Sequence, residues 1–113
     1  MNLAGSISSS GMNVAAKRLR AASHNVANLQ TDGFQAVETV SQTLPGGGAS
    51  STVHPTGAPS SVIWRAGELV AGSNTDLVRE SVNQITALAS YRANAAVFRG
   101  SDEMTGTLLE ILA

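Results

Sequence analysis

Met12, Ala15, Leu19, Ala22, Val26 and Leu29 follow one another at intervals of 3, 4, 3, 4 and 3 residues. That is the a/d rhythm of a coiled-coil seam, and it commits this stretch to a helix with one apolar edge. A helix over 6–29 runs about 36 Å at 1.5 Å per residue. Larger and smaller side chains alternate along the edge, which suits close approach of another helix. Lys17, Arg18 and Arg20 flank the seam and are expected to point away from it into solvent. A lone helix of this kind is marginal in water, so the pattern asks for a partner.

Composition explains why the partner matters. Of 113 residues 42% are hydrophobic, but only 4% are aromatic and 13% charged. The apolar share rests mainly on alanine and valine, whose small side chains bury little area each. A dense core in a lone monomer is therefore not expected. The formal net charge of −1 creates no long-range field, which argues against nucleic acid as a partner. The absence of cysteine removes disulfides, thiolate zinc sites and cysteine nucleophiles. No apolar run approaches the roughly 20 residues of a membrane span, so no direct membrane insertion is expected. The start, Met-Asn-Leu-Ala-Gly-Ser, has neither the basic region nor the apolar core of a cleavable signal peptide.

Three segments emerge: 1–35 with the first helix and a turn, 36–72 as a middle piece, and 73–113 as a second helix. Thr31-Asp32-Gly33 reads as the turn. In the middle, 36–43 and 61–65 are β-capable, and 68–70 can pair with one of them. Pro45-Gly46-Gly47-Gly48, then Pro55, Gly57 and Pro59, mark 44–60 as a loop carrying a weak hairpin or as disorder. The second helix has N-cap oxygens at Ser73, Asn74 and Thr75, with Asp76 and Glu80 suited to the positive end of its dipole. Val78, Val82, Ile85, Ala89, Arg92 and Ala96 trace one stripe, widened by Leu88, Tyr91 and Ala95. Gly100 weakens the middle of this helix, and Met104, Leu108, Leu109, Ile111 and Leu112 close it as an apolar segment. The expected fold is mainly α: N- and C-terminal helices paired as an antiparallel coiled-coil-like hairpin, with a short irregular or weakly β middle.

Catalytic chemistry finds no footing. His24 and His54 are the only histidines, and no metal-binding histidine spacing exists. There is no Gly-x-Ser-x-Gly elbow. The glycine run lacks the Lys-Ser/Thr of a phosphate loop. Asp102 and Glu103 are adjacent on a helix and so point about 100° apart, as a solvated pair does. No enzyme, cofactor or metal is expected. The most specific local signal is Asn25-Val26-Ala27-Asn28-Leu29-Gln30-Thr31-Asp32-Gly33-Phe34-Gln35. Asn25 and Asn28 share a helix face near its end, and their amides can bind backbone of a neighbouring chain or cap the helix. Gly33 permits the positive φ of a sharp reversal, after which Phe34 can fold back as an anchor.

This stretch, extended back to Ala22, resembles the N-terminal signature of bacterial flagellar axial proteins, the rod and hook family: Ala-x-x-Asn-Ile-Ala-Asn-x-x-Thr-x-Gly-Phe/Tyr-Lys. Asn25, Asn28, Thr31, Gly33 and Phe34 stand at its fixed positions, with Gln35 in place of the usual Lys. Ser73-Asn74-Thr75-Asp76, Glu80 and Ile85 are similar to the family's C-terminal Ser-Asn-Val-Asp-x-x-x-Glu-x-x-x-x-Ile. Tyr91-Arg92-Ala93-Asn94, Met104, Leu108 and Leu109 continue the likeness, while Ala89-Ser90 stands where Gln-Arg is common.

The resemblance implies a short, proximal-rod-like subunit of the flagellar basal body. Its partners would be copies of itself and other rod and hook axial proteins. It would be exported without a cleaved signal through the flagellar type III apparatus. On this reading Met12, Leu19 and Val26 supply one seam and Val82, Ile85 and Leu88 face it. Asn25, Asn28 and Asn94 are then polar contacts that set register. The rival reading is an independent helical-hairpin adaptor, or a divergent non-rod paralogue, that binds a partner protein.

Overall fold

Asn2 opens the first helix, α1 (Leu3–Ala27), by accepting the Gly5 N–H on its side-chain oxygen at 2.8 Å. The same oxygen accepts the Ser101 hydroxyl, and the Asn2 amide donates to Thr105 Oγ1 at 3.2 Å. One side chain thus caps α1 and ties it to the far end of the second long helix, α2 (Leu77–Leu112). At the opposite end of the pair, Thr75 Oγ1 donates to the Asn25 carbonyl at 3.2 Å. The two helices are therefore antiparallel, as the sequence predicts. The computed structural model describes residues 2–113, so Met1 of the segment 1–35 lies outside the described residues. The molecule is a rod of 77 × 24 × 15 Å.

Between the helices lie two antiparallel hairpins, β1 (Val37–Thr43) with β2 (Ala49–Pro55), and β3 (Val62–Arg65) with β4 (Glu68–Ala71). The expected partner for 68–70 is thus the piece at 61–65. Of the two alternatives for 44–60, the hairpin holds and disorder does not: β2 occupies the centre of the segment, with every residue from Ala49 to Pro55 in register opposite β1. The glycine run is the turn that makes this hairpin: Gly46, Gly47 and Gly48 all have φ between +88° and +107°. Their bare backbone lies against α1, where a Cβ on Gly47 would meet Ile7 and one on Gly48 would meet Ser10.

The basic cluster is corrected in part: Arg20 is exposed as expected, but Lys17 and Arg18 are not. Instead of pointing into solvent, Lys17 Nζ donates to the Ser51 carbonyl at 3.2 Å and Arg18 Nη2 to Ser41 Oγ at 2.8 Å. These bonds, with Ser10 Oγ accepting from Ala49 N–H, hold the first hairpin along α1. The second hairpin packs on neither helix. It is joined to the turn after α1 by Gly33 N–H donating to Ala71 O at 2.8 Å and by an Arg65–Asp32 ion pair at 2.6 Å.

Helix boundaries differ from the sequence expectation in instructive ways. α1 stops at Ala27, leaving Leu29 in the turn and off the seam. α2 starts later than Ser73, Asn74 and Thr75 suggest, because Asp76 is its N-cap, accepting from Val78 and Arg79 N–H. Gly100 does not interrupt it. The buried apolar residues among those described are Ala15, Ala21, Ala22, Ala36 and Ala87, all alanine. The core is a line of small side chains that lets two backbones approach closely.

Candidate assembly surface and the signature junction

The residues singled out by sequence divide into a junction and a surface. The junction forms where the end of α1, the start of β1 and the approach to α2 meet. Asn25 is fully buried and grips Val37 twice: its Oδ1 accepts the Val37 N–H at 2.9 Å and its Nδ2 donates to the Val37 carbonyl at 2.7 Å. Asn74 holds the residue before Val37 by one bond, the Ala36 carbonyl being taken by Thr56 N–H. Its Oδ1 accepts from Ala36 N–H, and its Nδ2 lies within hydrogen-bond reach of Gln35 Oε1, Thr56 Oγ1 and Ala58 O. Phe34 O accepts from Asn74 N–H at 3.3 Å. Two sequence blocks, bonded across the 38 positions between Ala36 and Asn74, are thereby locked around the buried Ala36.

The remaining signature residues serve the same corner. Asn28 is the C-cap of α1, donating through Nδ2 to His24 O at 3.0 Å and accepting from Thr31 Oγ1 at 3.1 Å. Gly33, at φ +72°, makes the reversal. Phe34 folds back edge-on to His24, with ring centroids 5.3 Å apart. Ser73 Oγ accepts from Thr75 N–H and donates to Thr75 Oγ1. Asn74, expected as a helix cap, is instead a clasp. Asn94, expected to set register, donates to Ser90 O on its own helix and fills the space beside Gly11.

The helix seam keeps Ala15 and Ala22 from the α1 residues expected and is otherwise built from smaller and more polar ones. On α1, Gly5, Ser8, Ala15, Ala22 and Asn25 are buried, Met12 and Val26 are half-buried, and Leu19 is exposed. On α2 the buried residues are Glu80, Ala87 and Ser101. Val82, Ile85 and Leu88 do not face α1, which corrects the seam predicted for them. At about 100° per residue, Val78, Val82 and Ile85 lie roughly opposite Ala87 on the helix. The reason is packing distance: with Gly11 and alanines on α1, the closest approach selects Ala87 and Ser101, and the branched residues are turned outward.

A signal for this arrangement is present in the sequence. Ser8, Ala15 and Ala22 recur every seven residues, and so do Glu80, Ala87, Asn94 and Ser101. A search for large apolar residues overlooks a heptad made of small and polar ones.

The outer face of α2 is strongly apolar. Val78 is 74% exposed, Val82 57% and Ile85 70%. Leu88, Tyr91, Val97, Met104, Leu108 and Leu109 are exposed as well. A row of exposed apolar side chains such as Val78, Val82 and Ile85 is a feature of interaction faces. A polar cleft of about 250 Å³ separates the helices from β1, lined by Arg18, Glu38, Arg79 and the buried Glu80. Arg79 pairs with Glu38 across it at 3.1 Å. No group of side chains among the described residues is placed to hold a metal ion. No helix among them is long and apolar enough to cross a membrane.

Residues 67–111, from the β3–β4 turn through nearly all of α2, match the family model described as flagellar basal body rod FlgEFG protein C-terminal. No curated protein matches the chain.

Proposed function

We propose, for a chain whose residues 67–111 match the flagellar basal body rod family model, that it is an axial structural subunit of the bacterial basal-body rod. In this reading it polymerises with copies of itself and with other rod and hook axial proteins, after export through the flagellar type III apparatus without a cleaved signal. It serves motility as a building block and carries out no chemistry.

The observation that carries the proposal is the division of labour on α2. Its small and polar residues are consumed by α1, while Val78, Val82, Ile85 and Leu88 are left facing solvent. Burying such a face between subunits favours assembly by about 25 cal/mol per Å² of apolar area, against the entropy of association and ordering. The signature junction supports the same reading, because it fixes the angle between helices and hairpins that a repeating lattice requires.

The test is sedimentation of the full chain over a wide concentration range. An axial subunit gains mass as concentration rises, and Leu19→Asp or Ile85→Asp keeps it monomeric with unchanged helicity. An adaptor stays a helical monomer at every concentration, which would overturn the proposal.

A further inference from the structure

Charge is segregated along the two helices. α1 carries Lys17, Arg18 and Arg20 and no acid, whereas α2 beyond Arg99 carries Asp102, Glu103 and Glu110 and no base. Lys17, Arg20 and His24 succeed one another at intervals of three and four on one face of α1. They rim a groove of about 190 Å³ whose floor is Ala21, Val37 and Val53. That volume is below the roughly 300–1,000 Å³ of a small-molecule pocket and suits one or two protruding side chains. An apolar floor under a basic rim calls for an occupant with apolar side chains flanked by carboxylates.

The chain itself carries such an element. Glu103 and Glu110 are seven residues apart, the same interval as Lys17 and His24, so both pairs span about 10 Å along a helix. Met104 and Ile111, each about 100° around the helix from its neighbouring glutamate, are exposed. Within one molecule the two surfaces do not meet. Asn2 holds Ser101 and Thr105 at the start of α1, and Lys17 to His24 lie about 22 to 33 Å further along that helix.

We infer that the groove between α1 and the first hairpin receives the 103–111 face of α2 from a second copy. Apolar side chains seat on Val37 and Val53, and Glu103 and Glu110 meet the rim that runs from Lys17 through Arg20 to His24. Groove and insert are different surfaces, so the contact is heterologous and repeats head to tail as an open array. The inference rests on the axial-subunit reading and names one contact within it.

Arg20 and Glu110 are both exposed and join no ion pair among the described residues, so reversing either leaves the fold intact. Arg20→Glu and Glu110→Arg, each alone as the full chain, are expected to raise the concentration for assembly at least tenfold by light scattering. Mixing the two variants in equal amounts restores assembly, because each groove then finds an insert of opposite charge. Added salt weakens wild-type assembly, as the pairs are exposed. Wild-type-like assembly of the single variants, or no recovery on mixing, overturns the contact while leaving the subunit reading in place. A wild-type chain that stays monomeric throughout overturns both.

Discussion

Asn25 and Val37 are joined by two hydrogen bonds, one in each direction, at 2.9 and 2.7 Å. The side-chain amide thus behaves as one more residue of backbone facing β1, planted on a helix. It is the point at which α1 hands the chain's direction to the first hairpin. Replacing Asn25 with Ala strands the part-buried Val37 N–H and carbonyl, at a cost of about 2 kcal/mol for the pair. Urea denaturation measures it, and a loss under 1 kcal/mol would show that the clasp is incidental.

Gly11 and Gly100 separate two kinds of helical glycine. Nothing lies within 4 Å of a Cβ added at Gly100, so Gly100→Ala is expected to stabilise by about 0.5–1 kcal/mol through helix propensity alone. A Cβ at Gly11 falls on the Asn94 amide, which must then leave its bond to Ser90 O. Gly11→Ala gains little by itself and recovers the propensity gain once Asn94 is also Ala. Thermal melts of the four variants check the pattern, and additivity would contradict it.

The β3–β4 turn consists of Ala66 and Gly67, at φ +50° and +83°. Two successive left-handed residues are the signature of a type I′ hairpin, where Asn-Gly is favoured over Ala-Gly. Ala66→Asn therefore stabilises the turn by about 0.5–1 kcal/mol, relieving part of the left-handed penalty on alanine. The second hairpin packs on no helix, so the gain is read best as slower amide exchange in β3 and β4.

Ala87 and Ile85 occupy opposite sides of α2, one 1% and the other 70% exposed. Ala87→Asp buries a charge in the helix seam and is expected to unfold the pair, a loss of at least about 3 kcal/mol. Ile85→Asp leaves the melting temperature within about 2 °C of wild type. Circular dichroism distinguishes the two, and equal destabilisation would show that α2 is turned the other way.

The sequence carries the helices openly and the strands faintly. The spacing of Met12 to Val26 announces a helix with a partner, and the carboxylate at position 76 lies within one residue of the expected cap group. What misleads is the habit of looking for large apolar residues in a seam. Ser8, Ala87 and Ser101 have little hydrophobic weight, yet they decide which face of α2 is inside, because backbone proximity and not side-chain size sets this contact. β2 was hidden for a related reason. Ala49-Ser50-Ser51-Thr52 looks like a linker, and its strand is held by Ser10 and Lys17, residues far from it in sequence. The clasp around Ala36 was half legible: Asn25 and Asn74 stood out by position, but their targets are backbone groups that no side-chain pattern encodes.

The central question is whether the outer face of α2 builds the chain into the flagellar axis. The direct measurement is quantitative mass spectrometry of hook–basal bodies purified from cells expressing either the wild-type chain or Ile85→Asp at equal levels. Wild-type protein is expected at a copy number comparable to the rod subunits, with Ile85→Asp lost from the particles despite normal abundance in the cell. Absence of the wild-type chain, or incorporation of both forms alike, would contradict that role for the face.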